Sequence, residues 1–249
     1  MAGRSLTVNM KDDDVIPAWK TVIELGAEGV SIDWTLVGGL MVTTHARRAG
    51  VAMHRPTDDV DVLVDYAANR GSLSVASSEL LRVGFVLSDR ERHAYRFTHE
   101  DGRKVDLMVA DHLPSRMEPR LNRRPAFAVP AGEQAIRRRD IYELRFDSGA
   151  ITTVGVPDEL GALVVKGAAW VSDGRDAGRH LDDSATLLAC IEDASELDFE
   201  SMSKNDRRRI RATTNLLSDP SHRSWTNLDE RDRAKGVFNQ ALIRQTLGF

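Results

Sequence analysis

Hydrophobic and acidic residues alternate in the segment 59–65, which reads DVDVLVD. Successive side chains of a β-strand point to opposite faces, so the three valines would share one face and Asp59, Asp61 and Leu63 the other. The pattern predicts a half-buried strand with two carboxylates on the same side.

Other apolar spacings predict the remaining elements of the first 155 residues. Two strand-like runs at 92–98 and 103–109 are joined by the sequence HEDG, whose Asp-Gly pair is typical of a hairpin turn. Helical spacing is found at 15–28, 40–49 and 73–83, and further short strands are predicted at 34–37, 85–87, 141–146 and 151–154.

After residue 155 the pattern is helical, with helices predicted at about 157–171, 182–193, 203–217 and 227–247. Pro157 suits a first helical turn, and Ser203 with Asp206 and Thr226 with Asp229 resemble capping boxes. We therefore predict an α+β fold: a mixed sheet flanked by helices in residues 1–155, followed by an all-helical domain in residues 156–249.

Composition excludes several classes of protein. The chain has 249 residues, 41% of them hydrophobic, and a net charge of −4. It has no apolar run of about 18 residues and no apolar segment near the N-terminus typical of a signal peptide, so a cytoplasmic protein without a membrane partner is expected. The single cysteine, Cys190, lies in an apolar run and is expected in the core, which excludes an intrachain disulfide.

Asp59 and Asp61 are two residues apart on a strand, so their side chains point the same way at a separation of ~7 Å. Their like charges would repel each other. Asp106 interrupts the apolar run KVDLMV, and it would converge on the same place if the hairpin lies beside the strand at 59–65. Carboxylates in such a cluster suit Mg²⁺ or Mn²⁺, and three of them can hold two metal ions that activate a hydroxyl and neutralise a leaving phosphate. The alternative is an ordinary solvated sheet face.

Gly38 and Gly39 follow a predicted strand and precede a predicted helix. Glycine lets the backbone approach a phosphate closely, and the N–H groups of a helix start can bind it. A glycine pair in this place is otherwise a simple tight turn.

Taken together, Val37-Gly38-Gly39, Asp59-Val60-Asp61 and Asp106 resemble the motifs of the nucleotidyltransferase superfamily, which has a polymerase-β-like fold. The resemblance implies a nucleotidyltransferase-like sheet and transfer of a nucleotide from a nucleoside triphosphate (NTP) to an acceptor hydroxyl, with release of pyrophosphate. It also implies that Asp59, Asp61 and Asp106 are catalytic metal ligands and that the helical domain completes the active site.

The long spacer between Gly39 and Asp59 is more similar to the AbiEii-type (MenT-like) toxin nucleotidyltransferases. Positions of that group match His45 and the run Arg55-Pro56-Thr57-Asp58-Asp59-Val60-Asp61. The resemblance further implies that Lys166 is catalytic. The nucleotide-binding residues it implies are Gly38, Gly39, Arg55, Thr57, Lys166 and Asp183.

Some of these assignments have alternatives in the residues themselves. Lys166 lies in the apolar run LVVKGAA, so its ammonium needs an anion such as a triphosphate, or must reach solvent. Asp183 could orient Lys166 or merely favour a helix N-terminus, and the choice between Asp182 and Asp183 stays open. Thr57 could bind phosphate or cap a strand, and His45 is expected to be a packing residue.

The acceptor is the least constrained part of the prediction. The AbiEii resemblance implies a toxin that modifies tRNA or another RNA and is held in check by a separate antitoxin. Seven arginines in 116–139 and a basic run at 204–211 are consistent with phosphate binding, although arginines on solvated helices are common. The alternatives are transfer to an antibiotic or to a protein side chain, and a catalytically silent nucleotide-binding module. Three mutually repelling carboxylates argue against the last.

Overall fold

The structure, a computed structural model, describes residues 3–11, 17–29, 34–52, 57–114, 116–174 and 176–249. The first residues of the helix predicted at 15–28 and the predicted binding residue Arg55 lie outside these ranges. By its contacts the chain divides into two units: Met1–Met41 with Pro56–Pro157, and Val42–Arg55 with Asp158–Phe249. The division of function between the two predicted domains stays a prediction.

The first unit is built on a mixed β-sheet. Its elements are β1 (Ser5–Met10), α1 (Pro17–Ala27), β2 (Trp34–Leu36), the start of α2 (Gly38–Ala49), β3 (Asp59–Val64), α3 (Ser72–Arg82), β4 (Val86–Leu87), β5 (Arg96–Thr98), β6 (Lys104–Ala110), β7 (Arg120–Leu121), β8 (Arg124–Pro125), β9 (Ala128–Val129), α4 (Gly132–Arg137), β10 (Arg139–Phe146) and β11 (Ile151–Pro157). The strand order is β1-β10-β11-β2-β3-β6-β5-β4, and β9 also pairs with β6.

The predicted fold of this unit, a mixed sheet flanked by helices, is confirmed. β3 and β6 are neighbouring parallel strands in the sheet, and α1 and α3 both contact β3. The valines of β3 are buried as the alternation predicts, because one face of the strand packs in the core while Asp59 and Asp61 keep partial exposure. The hairpin of β5 and β6 is also confirmed, although β5 begins only at Arg96.

Several elements of the first unit were missed by the sequence patterns. β1 pairs in parallel with β10, a partner far away in the sequence, and the Arg4 side chain donates hydrogen bonds to Asp140 beside it. The short strands β7, β8 and β9 and the helix α4 have too few residues to show a period.

The second unit is helical. It contains the later turns of α2, then α5 (Glu159–Ser172), α6 (Gly178–Cys190), a 3-10 turn at Ala194–Glu196, α7 (Lys204–Leu216), α8 (Arg223–Thr226) and α9 (Glu230–Leu247). The four predicted long helices are confirmed, with α6 beginning and ending earlier than expected. Arg48 of α2 donates a hydrogen bond to Glu159 of α5, which helps to explain why residues 42–55 belong to this unit.

Helix ends test the predicted capping residues. Pro157 does not begin a helix as predicted, because it ends β11 and the Asp158 side chain caps α5 by accepting from the Gly161 N–H. The capping box of Ser203 and Asp206 is confirmed. The box of Thr226 and Asp229 is wrong: Asp229 itself caps α9, since its side chain accepts from the Asp232 N–H.

Polar side chains inside the second unit are matched to backbone groups. Asn239 donates to the carbonyls of Leu188 and Ile191, and the Trp225 indole donates to Leu217. Cys190 is buried as predicted, and burial raises the pKa of its thiol to about 12, so it is a core residue rather than a nucleophile. None of the helices within the described ranges has the length and apolar character needed to cross a membrane.

Candidate active site

The pairing of β3 with β6 brings the three predicted carboxylates together. The strands are parallel, and the register places Asp61 opposite Asp106 and Asp59 opposite Lys104. Residues paired in register point to the same face, and so do residues two apart on one strand. Asp59, Asp61 and Asp106 therefore share one face of the sheet, with Asp106 buried and the other two partly exposed.

Arg96 of β5 is the counter-ion of this cluster. Its Nε lies 2.8 Å from Asp106 Oδ1 and its Nη2 lies 2.7 Å from Asp106 Oδ2, so the guanidinium binds both oxygens. The same Nη2 lies 3.5 Å from Asp59 Oδ2. Lys104 adds a second cation, with its Nζ 3.3 Å from Asp59 Oδ1.

The sequence patterns missed Arg96 and Lys104, although the signal was present. The Asp-Gly turn fixes the hairpin register, in which Thr98 pairs with Lys104 and Arg96 with Asp106. Counting outward from the turn by two residues on each strand therefore places a guanidinium opposite the third carboxylate. Charged cross-strand partners of this kind can be found from sequence once the turn is identified.

Burial and charge act in opposite directions on Asp106. Burial raises the pKa of its carboxyl, because removal of water disfavours the charged form more than the Arg96 guanidinium favours it. The hydrogen bonds to Asp106 raise the pKa of Arg96, which keeps the guanidinium charged. The site is thus a desolvated ion pair beside two further carboxylates.

The donors suit a hard divalent cation, because all three side chains offer carboxylate oxygens. Within the described parts of the chain, however, no group of three acidic, histidine or cysteine side chains is arranged to hold a metal ion. Both oxygens of Asp106 are bound by Arg96. The three side chains fit Mg²⁺ or Mn²⁺ in their donor atoms and lie on one sheet face, while Asp106 is bound to Arg96.

Gly38 and Gly39 lie directly against the carboxylate strand. Gly38 begins α2 with φ +64°, and a Cβ on it would overlap the Asp61 carboxyl. A Cβ on Gly39 would lie 2.6 Å from Thr57 Oγ1, and the Val37 N–H donates to the Asp61 carbonyl at 2.9 Å. Only glycine allows the helix start to approach β3 this closely. The predicted residues Gly38, Gly39, Thr57 and Asp61 are therefore brought together.

Lys166 and Asp183 form a buried pair inside the second unit. Lys166 Nζ lies 2.6 Å from Asp183 Oδ2, and each side chain is only 4% exposed. The anion that Lys166 needed from its apolar surroundings is thus Asp183 of α6. Asp182 accepts instead from Ser224 Oγ, so Asp183 is the acidic residue that contacts the lysine. His45 is fully buried in the same unit, as expected for a packing residue.

His180 adjoins this pair and is neutral at neutral pH. Its Nε2 lies 3.2 Å from Asp173 Oδ2. Burial lowers its pKa, and the positive charge of Lys166 lowers it further, while Asp173 acts in the opposite direction.

The predicted basic segments differ in what their cations do. In the 116–139 segment, Arg124 donates to the carbonyls of Glu91 and Ser88 and so has a structural role. On α7 the positions 204, 208 and 211 are all exposed, and their spacing places Lys204, Arg208 and Arg211 along one helix face.

Comparisons with known proteins give little support for any assignment. No protein-family model matches the chain, and no curated protein matches it. A solved structure of ANT(2")-Ia in complex with adenylyl-2"-tobramycin is similar over 92% of this chain and 96% of that chain, with 12% sequence identity and a TM-score of 0.37. A TM-score this low supports no conclusion about activity.

Gly38→Ala is expected to destabilise the protein more than Gly50→Ala does. Both glycines have left-handed φ, which costs alanine about 1–2 kcal/mol, but a Cβ meets nothing within 4 Å at Gly50 and meets the Asp61 carboxyl at Gly38. The overlap should add about 1–3 kcal/mol. Urea unfolding of both variants measures the difference. Equal losses would show that Gly38 does not contact Asp61 as described.

The pKa of His180 predicts loss of stability in acid. The pKa of His180 in the folded state lies below its ordinary value of 6.5. The contribution of this histidine to the free energy of unfolding is therefore complete above pH 6.5 and is lost as the pH falls toward the folded-state pKa. The slope from this one group is at most about 1.4 kcal/mol per pH unit. His180→Gln should flatten the pH dependence of urea unfolding between about pH 7.5 and about pH 5.5.

The control is His112→Asn, since the His112 side chain is 72% exposed and asparagine tolerates its left-handed φ. This variant should keep the wild-type slope. If His180→Gln also keeps it, His180 is not held neutral by its surroundings.

Proposed function

We propose that this chain is a metal-dependent nucleotidyltransferase that transfers a nucleoside monophosphate from an NTP to an acceptor hydroxyl and releases pyrophosphate. The observation that carries the proposal is the parallel register that sets Asp61 beside Asp106, with Asp59 on the same sheet face. Three carboxylates on adjacent strands are the donor set that two-metal phosphoryl transfer uses. The cluster is difficult to explain as a solvated surface, because Asp106 is buried.

In this mechanism Asp59, Asp61 and Asp106 would hold Mg²⁺ or Mn²⁺ and so set the position of the reacting phosphate. The bound metal would neutralise the triphosphate and favour ionisation of the acceptor hydroxyl. The start of α2 at Gly38 lies against Asp61, and we assign the phosphate oxygens to this end of the helix. We also assign the Thr57 hydroxyl, next to Gly39, to the same phosphate group. Positioning, rather than covalent chemistry, is then the main contribution of the protein.

We include Lys166 and Asp183 in the proposal as a nucleotide-binding pair, with Lys166 contributing to catalysis. An ammonium has three donors, so the hydrogen bond to Asp183 Oδ2 does not exhaust its capacity. A buried ion pair is weakly stabilising by itself, which makes a purely structural role a poor reason for its presence. We also assign Arg55 to nucleotide binding, on the basis of its place in the sequence motif alone.

For the acceptor we propose tRNA or another RNA, in a toxin-type enzyme that a separate antitoxin controls. The exposed stripe of Lys204, Arg208 and Arg211 on α7 supports this choice. Cations repeated along one helix face can contact successive phosphates of a nucleic-acid backbone without reading its sequence. Transfer to an antibiotic hydroxyl or to a protein side chain is the alternative outcome of the acceptor assay.

Asp61→Asn is expected to lower nucleotide transfer by at least about 10³-fold, because several kcal/mol of transition-state stabilisation by the metal would be lost. Asp59→Asn and Asp106→Asn should have effects of similar size. The measurement is incorporation of α-labelled NTP into total RNA, an aminoglycoside mixture or protein. Asp65→Asn is the matched control, since Asp65 follows β3 directly but lies at its other end. Full activity of Asp61→Asn would refute the mechanism.

Replacement of Lys204, Arg208 and Arg211 together by alanine should weaken RNA binding and lower the slope of log K against log salt by about two to three, roughly one unit per lost phosphate contact. Metal binding should not change. A control variant with alanine at Arg82, Arg145 and Arg231, exposed residues on other elements, removes the same charge and should keep the wild-type slope. Equal slopes for the two variants would exclude the α7 stripe as the RNA contact.

A further inference from the structure

The carboxylate cluster contains a cation of its own. Arg96 binds both oxygens of Asp106, and the same guanidinium nitrogen reaches Asp59 at 3.5 Å. A single side chain therefore joins two of the three carboxylates to which the proposed function assigns metal ions. The Arg96 side chain is 31% exposed, so it has an open side toward which it can move.

A guanidinium and a divalent metal ion cannot both neutralise the same small cluster without mutual repulsion. The repulsion between +1 and +2 charges at the separation of one carboxylate exceeds RT even in water, and it increases in a partly buried site. Bidentate binding also occupies Asp106 in a fixed orientation, since the two donors of the fork match its two oxygens. Metal binding must therefore overcome the charge of Arg96 and reorient or share Asp106.

We propose that Arg96 is a positioning residue that substitutes for the metal in the metal-free protein, holding Asp59 and Asp106 together and being displaced from Asp106 when the metal binds. This inference rests on the proposed metal-dependent function. The exchange keeps the site close to neutral in both states. It also makes metal affinity a property that Arg96 sets, because the free energy of the ion pair is subtracted from that of metal coordination.

The test is direct Mn²⁺ binding without nucleotide, measured by calorimetry and by the paramagnetic signal of free Mn²⁺. Arg96→Met and Arg96→Gln remove the charge, and each should bind Mn²⁺ about tenfold more tightly than the wild type or better. Glutamine can still donate to Asp106, which protects against failure of the methionine variant to fold. Arg96→Lys keeps the charge and should stay near wild-type affinity.

Thermal unfolding gives a second readout that does not require activity. In EDTA, Arg96→Met should melt below the wild type, because Asp106 would be left buried without its partner. Added Mn²⁺ should raise the melting temperature of Arg96→Met more than that of the wild type, in line with its tighter binding. Arg103→Met is the matched control: Arg103 also pairs with two carboxylates, Glu24 and Asp101, yet it should lose stability without any change in Mn²⁺ affinity.

The outcomes separate this inference from the proposed function. If wild-type binding of Mn²⁺ depends on Asp61 but Arg96→Met and Arg96→Gln bind no more tightly, Arg96 does not compete with the metal, and the metal-dependent function is untouched. If neither the wild type nor any Arg96 variant shows binding that Asp61→Asn abolishes, both the metal site and this inference are wrong. If Arg96→Lys also binds Mn²⁺ more tightly than the wild type, the gain in affinity comes from loss of the two-donor guanidinium contact and not from loss of charge. That result would overturn the proposed exchange of charges.

Discussion

The compensation of negative charge where Asp59, Asp61 and Asp106 meet is the constraint on which the candidate site depends. The parallel register of β3 and β6 sets two of these carboxylates side by side, and burial of Asp106 removes the water that would screen them. The hairpin that carries Asp106 also carries Arg96 on its other strand, so one local turn delivers both the third negative charge and its compensation. The cluster and its counter-ion are thus parts of one supersecondary unit.

The local elements of this fold could be predicted from sequence, whereas several of its pairings could not. The alternation at 59–65 and the Asp-Gly turn correctly predicted β3 and the hairpin, because both signals lie within a few residues. The pairing of β1 with β10 joins segments separated by more than a hundred residues, and nothing in either segment specifies the other. The sequence predicted that Asp106 lies near Asp61 only if the hairpin pairs with the strand at 59–65. Parallel strands are not joined by a tight turn, so no local signal fixes their register.

In the second unit the chain itself supplies the anion that Lys166 needs. The sequence implied that Lys166 needed an anion, and the structure supplies Asp183 at hydrogen-bonding distance. A pair that satisfies itself in this way is compatible with a structural role, but its desolvation cost is seldom repaid by the pair alone. His180, held neutral beside Lys166, limits the positive charge in the same interior. Because the pKa of His180 is lowered, the imidazole is neutral and Lys166 carries the positive charge of this pair of side chains.

Close packing and acidic side chains of the first unit meet around Asp61. A left-handed glycine begins α2 against its carboxyl, a second glycine approaches Thr57 too closely for any side chain, and a buried aspartate lies opposite on β6. Glycine adopts the left-handed conformation without strain, but the close approach leaves no room for a side chain at either glycine. A module that only needed to fold would have no use for this combination. Close backbone approach and like charge at one place are what the proposed triphosphate chemistry would need, and they favour the proposed enzyme over a silent binding module.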